Sequence, residues 1–295
     1  MKKISLIVLF FVCIYSYSNC QNLTETKLED PVKKTVKYRK LKLGLDYAST
    51  ITFKGRQDSS RLFSISPYLD YRGKYGLFAK VSLDDVPGTK KGFDELNASI
   101  GWDHSFTDKL DCSIGYSHYF YNSQVARIKA SVSNEIAANI SYDWDWLYTY
   151  IGVDLDGGNN KFPYKGKIVT KKTRDVYLVF SNSHEFSFDF FTERSDNLTI
   201  NPGVDFLFGT QNFLVTYKGK TDPANATNAV YQKQASRFAL TGIMLDLDIK
   251  YTRKKLTFFL SPNYTFPKNV PPGESSTPYL VVNASVYLTF KGKKK

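Results

Sequence analysis

The stretch YLVVNASVYLTF, Tyr279 to Phe290, decides the fold. In an extended chain Leu280, Val282, Ala284, Val286, Leu288 and Phe290 share one face, while Val281, Asn283, Ser285, Tyr287 and Thr289 share the other. One face is apolar and the opposite one is mostly polar and small. The length matches the about 9–11 residues that a tilted strand needs to cross hydrocarbon.

The same two-residue period recurs upstream. It predicts strands over Leu41 to Phe53, Leu62 to Arg72, Leu77 to Asp84, Leu96 to Asp103, Leu110 to Phe120, Ile136 to Trp144, Leu147 to Leu155, Leu198 to Phe208, Ala239 to Tyr251 and Leu256 to Phe266. In the first of these Leu41, Leu43, Leu45, Tyr47, Ile51 and Phe53 are expected on the apolar face. Arg174 to Asn182 is a further strand whose faces the sequence does not assign. Gln124 to Ser133 and the Gly-, Asn- and Lys-rich run Asp156 to Thr173 are expected as loops. With Phe186 to Phe191 as an excursion between strands the count is about twelve; counting it and Asn212 to Lys218 as strands gives about fourteen. Twelve is preferred, because it preserves an alternation of tight turns and longer connections. The expectation is an all-β chain: a single antiparallel up-and-down transmembrane β-barrel over residues 41–290.

Composition agrees. Aromatics make up 16% of the 295 residues, and after the first twenty residues no apolar run is long enough for a membrane-crossing helix. Residues 1–20 read as a cleaved secretory signal peptide: Lys2 and Lys3, an apolar core from Ile4 to about Tyr15, then small residues before Gln21. Lipidation of Cys20 is the alternative to plain cleavage. Residues 21–40 read as a polar periplasmic segment and 291–295 as a basic tail. The mature chain keeps Cys112 and at most Cys20, so no disulfide framework and no thiolate metal site is expected. The formal charge of +12 sits largely near the ends, which fits lipid head groups and solvated termini rather than nucleic acid.

The terminal strand that ends on Phe290, with the repeated pattern before it, resembles bacterial outer-membrane β-barrels. That resemblance implies the outer membrane of a diderm bacterium, contact with outer-membrane lipid, and a porin-like role. The polar face would then line the lumen: Asp46, Asp70, Asp84, Asp103, Asp111, Asp143, Asp154, Asp205, Asp246 and Asp248, with Lys42, Arg72, Lys80 and Lys250 as basic partners. Carboxylates in a pore favour cations or polar solutes. The competing expectation is a lumen filled by side chains and neutralised by internal ion pairs. Trp102, His104, Tyr116, His118, Phe120, Tyr142, Trp144, Tyr264 and Phe290 are expected in aromatic girdles at the membrane interfaces.

An enzyme is not expected. The outer-membrane phospholipase family, also about twelve-stranded, carries His-x-Ser on one strand, whereas His104, His118 and His184 are each followed two residues on by phenylalanine. The sequence shows no metal-spaced His/Cys cluster, no phosphate-binding glycine loop and no nucleophile elbow. No cofactor is expected. The function classes left are a porin-like channel for small polar or cationic solutes and a closed barrel that serves as a structural or assembly partner of outer-membrane or periplasmic proteins.

Overall fold

The computed structural model describes residues 39–57, 62–86, 93–121, 132–164, 167–188, 196–213, 236–270 and 275–292. The expected signal peptide, the segment 21–38 and the tail beyond residue 292 lie outside them, as does most of the expected loop Gln124 to Ser133. Fifteen strands form: β1 Lys40–Ala48, β2 Thr52–Phe53, β3 Arg56–Gln57, β4 Ser64–Arg72, β5 Leu77–Asp84, β6 Glu95–Ser105, β7 Leu110–Tyr121, β8 Asn134–Asp143, β9 Tyr148–Tyr164, β10 Lys167–Ser183, β11 Phe186–Phe188, β12 Asp196–Gly209, β13 Ala239–Arg253, β14 Leu256–Pro267 and β15 Tyr279–Lys291.

Each long strand pairs antiparallel with its neighbour in sequence, β1 pairs with β15, and β10 pairs with β12 through Tyr177–Ser183 and Gly203–Gly209. The sheet therefore closes on itself with no open edge, a barrel of twelve strands; β2 and β3 form a separate hairpin, and β11 pairs only with the first turn-side residues of β12. Closure is what lets backbone amides and carbonyls cross hydrocarbon fully paired.

Why these residues form a barrel is visible on β14. Phe258, Leu260 and Tyr264 are exposed, while Thr257, Phe259, Ser261, Asn263 and Thr265 between them are buried. Leu43, Leu45, Leu69, Val81, Ile100, Ile114, Ile140, Ile151, Leu245 and Leu280 continue the exposed set around the wall. A continuous apolar belt of this extent is costly in water and favourable against acyl chains. The start of β1, the end of β15 and the tight turns at Gly73, Phe106, Asp145 and Lys254 lie at one end; the last residues of β1, β5, β7, β12 and β14 lie at the other.

Three expectations change. The first strand stops at Ala48, and Phe53 is buried inside the barrel rather than outward. Lys54 and Gly55 both have positive φ, 48° and 80°, so the chain turns back on itself in a two-residue hairpin between β2 and β3. The expected loop from Asp156 to Thr173 is instead the far half of β9 and β10, paired from Asp156–Asp175 out to Tyr164–Lys167. The backbone ladder with a β-forming partner strand outweighs the weak strand preference of Gly157, Gly158, Asn159 and Asn160. Third, Phe186–Phe188, expected within an excursion between strands, forms the short strand β11 against Leu198–Ile200, while Asn212 and Phe213, a strand only in the count of fourteen, form a helical turn.

Candidate functional site: the barrel interior

The hairpin Thr52–Gln57 lies inside the long-connection end of the barrel. Phe53 is 1% exposed and belongs to a cluster with Tyr119, Val132, Tyr177 and Phe213, its ring meeting that of Tyr177 edge-on at 5.9 Å. Lys54 donates to the carboxylate of Asp154 on β9 and, at 3.4 Å, to Glu135 on β8; its ammonium stands 4.9 Å over the Tyr177 ring. Arg56 donates through Nη2 to Gln211 Oε1 at 2.9 Å and to the Lys268 carbonyl. Lys54 and Arg56 are both nearly inaccessible to solvent. Left-handed backbone at a lysine costs about 1–3 kcal/mol, so docking on the wall is what holds this turn.

The wall beneath the hairpin is acidic. Glu135, Asp156 and Asp175 are directly opposite one another across β8, β9 and β10. Asp175 is satisfied: it accepts from Thr210 Oγ1 at 2.5 Å, from the Asn212 backbone N–H at 2.8 Å and from the Phe213 N–H at 2.9 Å, and so fixes the turn that delivers Phe213 into the Phe53 cluster. Asp156 is 2% exposed, and neither of its carboxylate oxygens has a hydrogen-bond partner among the described residues.

The remaining residues expected in the lumen fall as follows. Asp154, Asp205, Asp246, Asp248 and Asp70 are buried on inner faces, and Asp46, Asp84, Asp103, Asp111 and Asp143 are half-buried. Asp46 accepts from Ser285 Oγ at 2.5 Å, Asp84 from Ser66, and Asp143 from the Asp145 N–H at 2.8 Å. At the tight-turn end Arg72 pairs with Asp103 and, at 3.5 Å, with Asp70. Lys42 lies 4.8 Å over the Tyr287 ring and Lys80 4.5 Å over that of Tyr68; Lys250 is half-buried on β13. Glycines receive the inner rings: a Cβ on Gly44 would stand 2.3 Å from Tyr68 Cζ, and one on Gly101 2.3 Å from Phe78 Cζ. Rings thus lie against the wall instead of across the bore.

The aromatics expected as girdles are on the outer face at both ends. At the tight-turn end Trp102 stacks on His104 at 4.9 Å and donates to the Tyr75 carbonyl, Tyr142 meets Trp144 at 4.5 Å, and Phe290 sits under the Lys255 ammonium. At the other end His118 meets Phe120 at 4.4 Å and shares Asn134 Oδ1 with Tyr116, and Tyr264 meets Phe266 at 5.0 Å. Amphipathic rings at the head-group level are what anchors a barrel in a bilayer.

Sequence reasoning missed the hairpin and the acids it faces: Lys54, Arg56, Glu135, Asp156 and Asp175. The signal that could have found the hairpin is FKGR, Phe53 to Arg56, in which Lys-Gly supplies a two-residue turn. Asp156 was hidden by the assignment of a loop to its part of β9, and Asp175 by the unassigned faces of Arg174 to Asn182.

No family model matches the chain, and no curated protein matches it in sequence. Among solved structures it is similar to the NanC porin (9% identity, 84% of this chain and 98% of that chain, TM-score 0.46) and to the KdgM porin (8% identity, 84% and 99%, TM-score 0.47). It is also similar to LpxR from Salmonella typhimurium (9% identity, 84% and 100%, TM-score 0.43).

Proposed function

We propose that the chain is a non-enzymatic, porin-like channel of the outer membrane for small polar or cationic solutes, narrowed by the hairpin Thr52–Gln57. The observation that carries this reading is the sign of the inner wall. On the inner faces of the described strands Asp46, Asp70, Asp84, Glu135, Asp154, Asp156, Asp205, Asp246 and Asp248 outnumber Lys42, Arg72, Lys80 and Lys250, with Lys40 and Lys291 on the same side at the strand ends, while Lys54 and Arg56 arrive on the hairpin. A lumen with an excess of one sign and low-dielectric walls concentrates the opposite ion. Of the histidines, His118 bonds to Asn134 and His184 to the Trp146 carbonyl.

A second reading, a closed barrel acting as a structural or assembly partner, is favoured by one observation: the inner side chains around the hairpin are almost all buried. Twelve strands lie between barrels of about eight, filled by side chains, and those of about sixteen, which leave an open channel. Single-channel recording in planar bilayers separates the two, using folded wild type and a variant in which the residues between Ala48 and Ser64 are replaced by a short Gly/Ser turn. Current steps from the wild type, larger in the variant, support the channel. Silence from both supports the closed barrel, and silence from the wild type alone makes the hairpin a plug.

A further inference from the structure

Two inward carboxylates, Glu135 and Asp154, accept from Lys54 Nζ, and a third, Asp156, stands directly opposite Glu135 on the neighbouring strand. Like charges directly opposite one another on adjacent strands repel, and each buried ion costs several kcal/mol in lost hydration. Asp156, buried with both oxygens unbonded among the described residues, takes no hydrogen bond from that lysine. Lys54 docks the hairpin through Asp154 and Glu135, but Asp156 makes no hydrogen bond in that docking, and the neighbouring turn is fixed by Asp175. What the arrangement does recognise is already in place: a primary ammonium held by carboxylates over the face of Tyr177. Among the described residues no group of three or more acids, histidines or cysteines is arranged for a metal ion.

We propose that Glu135, Asp154, Asp156 and Tyr177 form a binding site for small primary-ammonium solutes, and that Lys54 occupies it as a tethered competitor. Asp156 provides the second charge-assisted acceptor, so a diamine engages the site more fully than the single lysine does. The hairpin has to leave for the solute to enter, and displacement frees the strained turn at Lys54. The inference names the solute class of the channel proposed above and rests on that reading only for the route by which the solute arrives.

The test is calorimetric titration of 1,5-diaminopentane into the full mature chain folded in detergent micelles, with tetramethylammonium at equal ionic strength as control. Lys54→Gln is expected to bind the diamine at least about tenfold more tightly than wild type, and Lys54→Gln with Asp156→Asn to lose that gain. Equal or weaker binding by Lys54→Gln, an unaffected double variant, or equal binding of tetramethylammonium overturns the proposal. Should Lys54→Gln not fold, the wild type decides. Excess diamine is expected to expose the Lys54–Gly55 bond to trypsin, and a diamine-independent cleavage rate overturns the proposal. Binding in micelles needs no conduction, so this proposal and the channel fail separately.

Discussion

Phe53→Ala tests whether the hairpin is a docked element that moves independently of the wall. The ring is 1% exposed among Tyr119, Val132, Tyr177 and Phe213. Truncating such a phenylalanine costs about 3–5 kcal/mol, the lost transfer energy plus the cavity left behind. The wall's own ladders do not depend on it, so the cost falls on docking. At about 1.4 kcal/mol per tenfold, the ratio of undocked to docked hairpin rises by roughly 150-fold to 5,000-fold. Lys54 and Arg56 are themselves tryptic sites, protected by burial at 3% and 2% exposure. When opening and closing are fast relative to cleavage, the cutting rate follows the open population. Limited trypsinolysis of the folded barrel, with mass spectrometry of the cut positions, is therefore expected to show cleavage after Lys54 and Arg56 accelerated by at least a hundredfold, with the heat-modified gel shift of the barrel unchanged. Cleavage no faster than in wild type, or a barrel that unfolds along with the hairpin, refutes the reasoning.

Other perturbations probe the wall. Gly101→Ala places a Cβ 2.3 Å from Phe78 Cζ and 2.5 Å from the Ile114 carbonyl, so about 1–3 kcal/mol of overpacking should lower the urea midpoint of the barrel folded into liposomes. Arg72→Ala leaves Asp70 and Asp103 without their guanidinium at the tight-turn end and should cost about 3–5 kcal/mol in the same assay, with Asp103→Asn alone costing less. Ile100, 63% exposed at the middle of β6, should tolerate valine or phenylalanine in bilayers, while Ile100→Arg loses about 2–4 kcal/mol of folding free energy at the bilayer midplane.

The wall was legible because a closed barrel imposes one rule on every strand, and a period of two survives any connection between them. Leu280 to Phe290 and Phe258 to Phe266 carry that period without interruption. The interior was legible only where an acid falls within a clean alternation, as Asp70 and Asp246 do. The hairpin was not, because Ile51 and Phe53 continue the phase of Tyr47; the break lies in the backbone at Lys54 and Gly55, not in hydropathy. Nor was the acidic row, since it depends on register. Glu135, Asp156 and Asp175 are 21 and 19 residues apart in sequence and meet only once β8, β9 and β10 are aligned. The cation on Glu135 comes from 81 residues before it, a separation that no local pattern encodes.

The most direct test of the account is the reversal potential of the folded wild-type barrel in a planar bilayer under a tenfold gradient of potassium chloride. An interior walled by carboxylates is expected to shift it toward the potassium equilibrium potential, and further so when the hairpin with Lys54 and Arg56 is removed. A reversal potential at zero or toward chloride in both proteins, or no current from either, would contradict it.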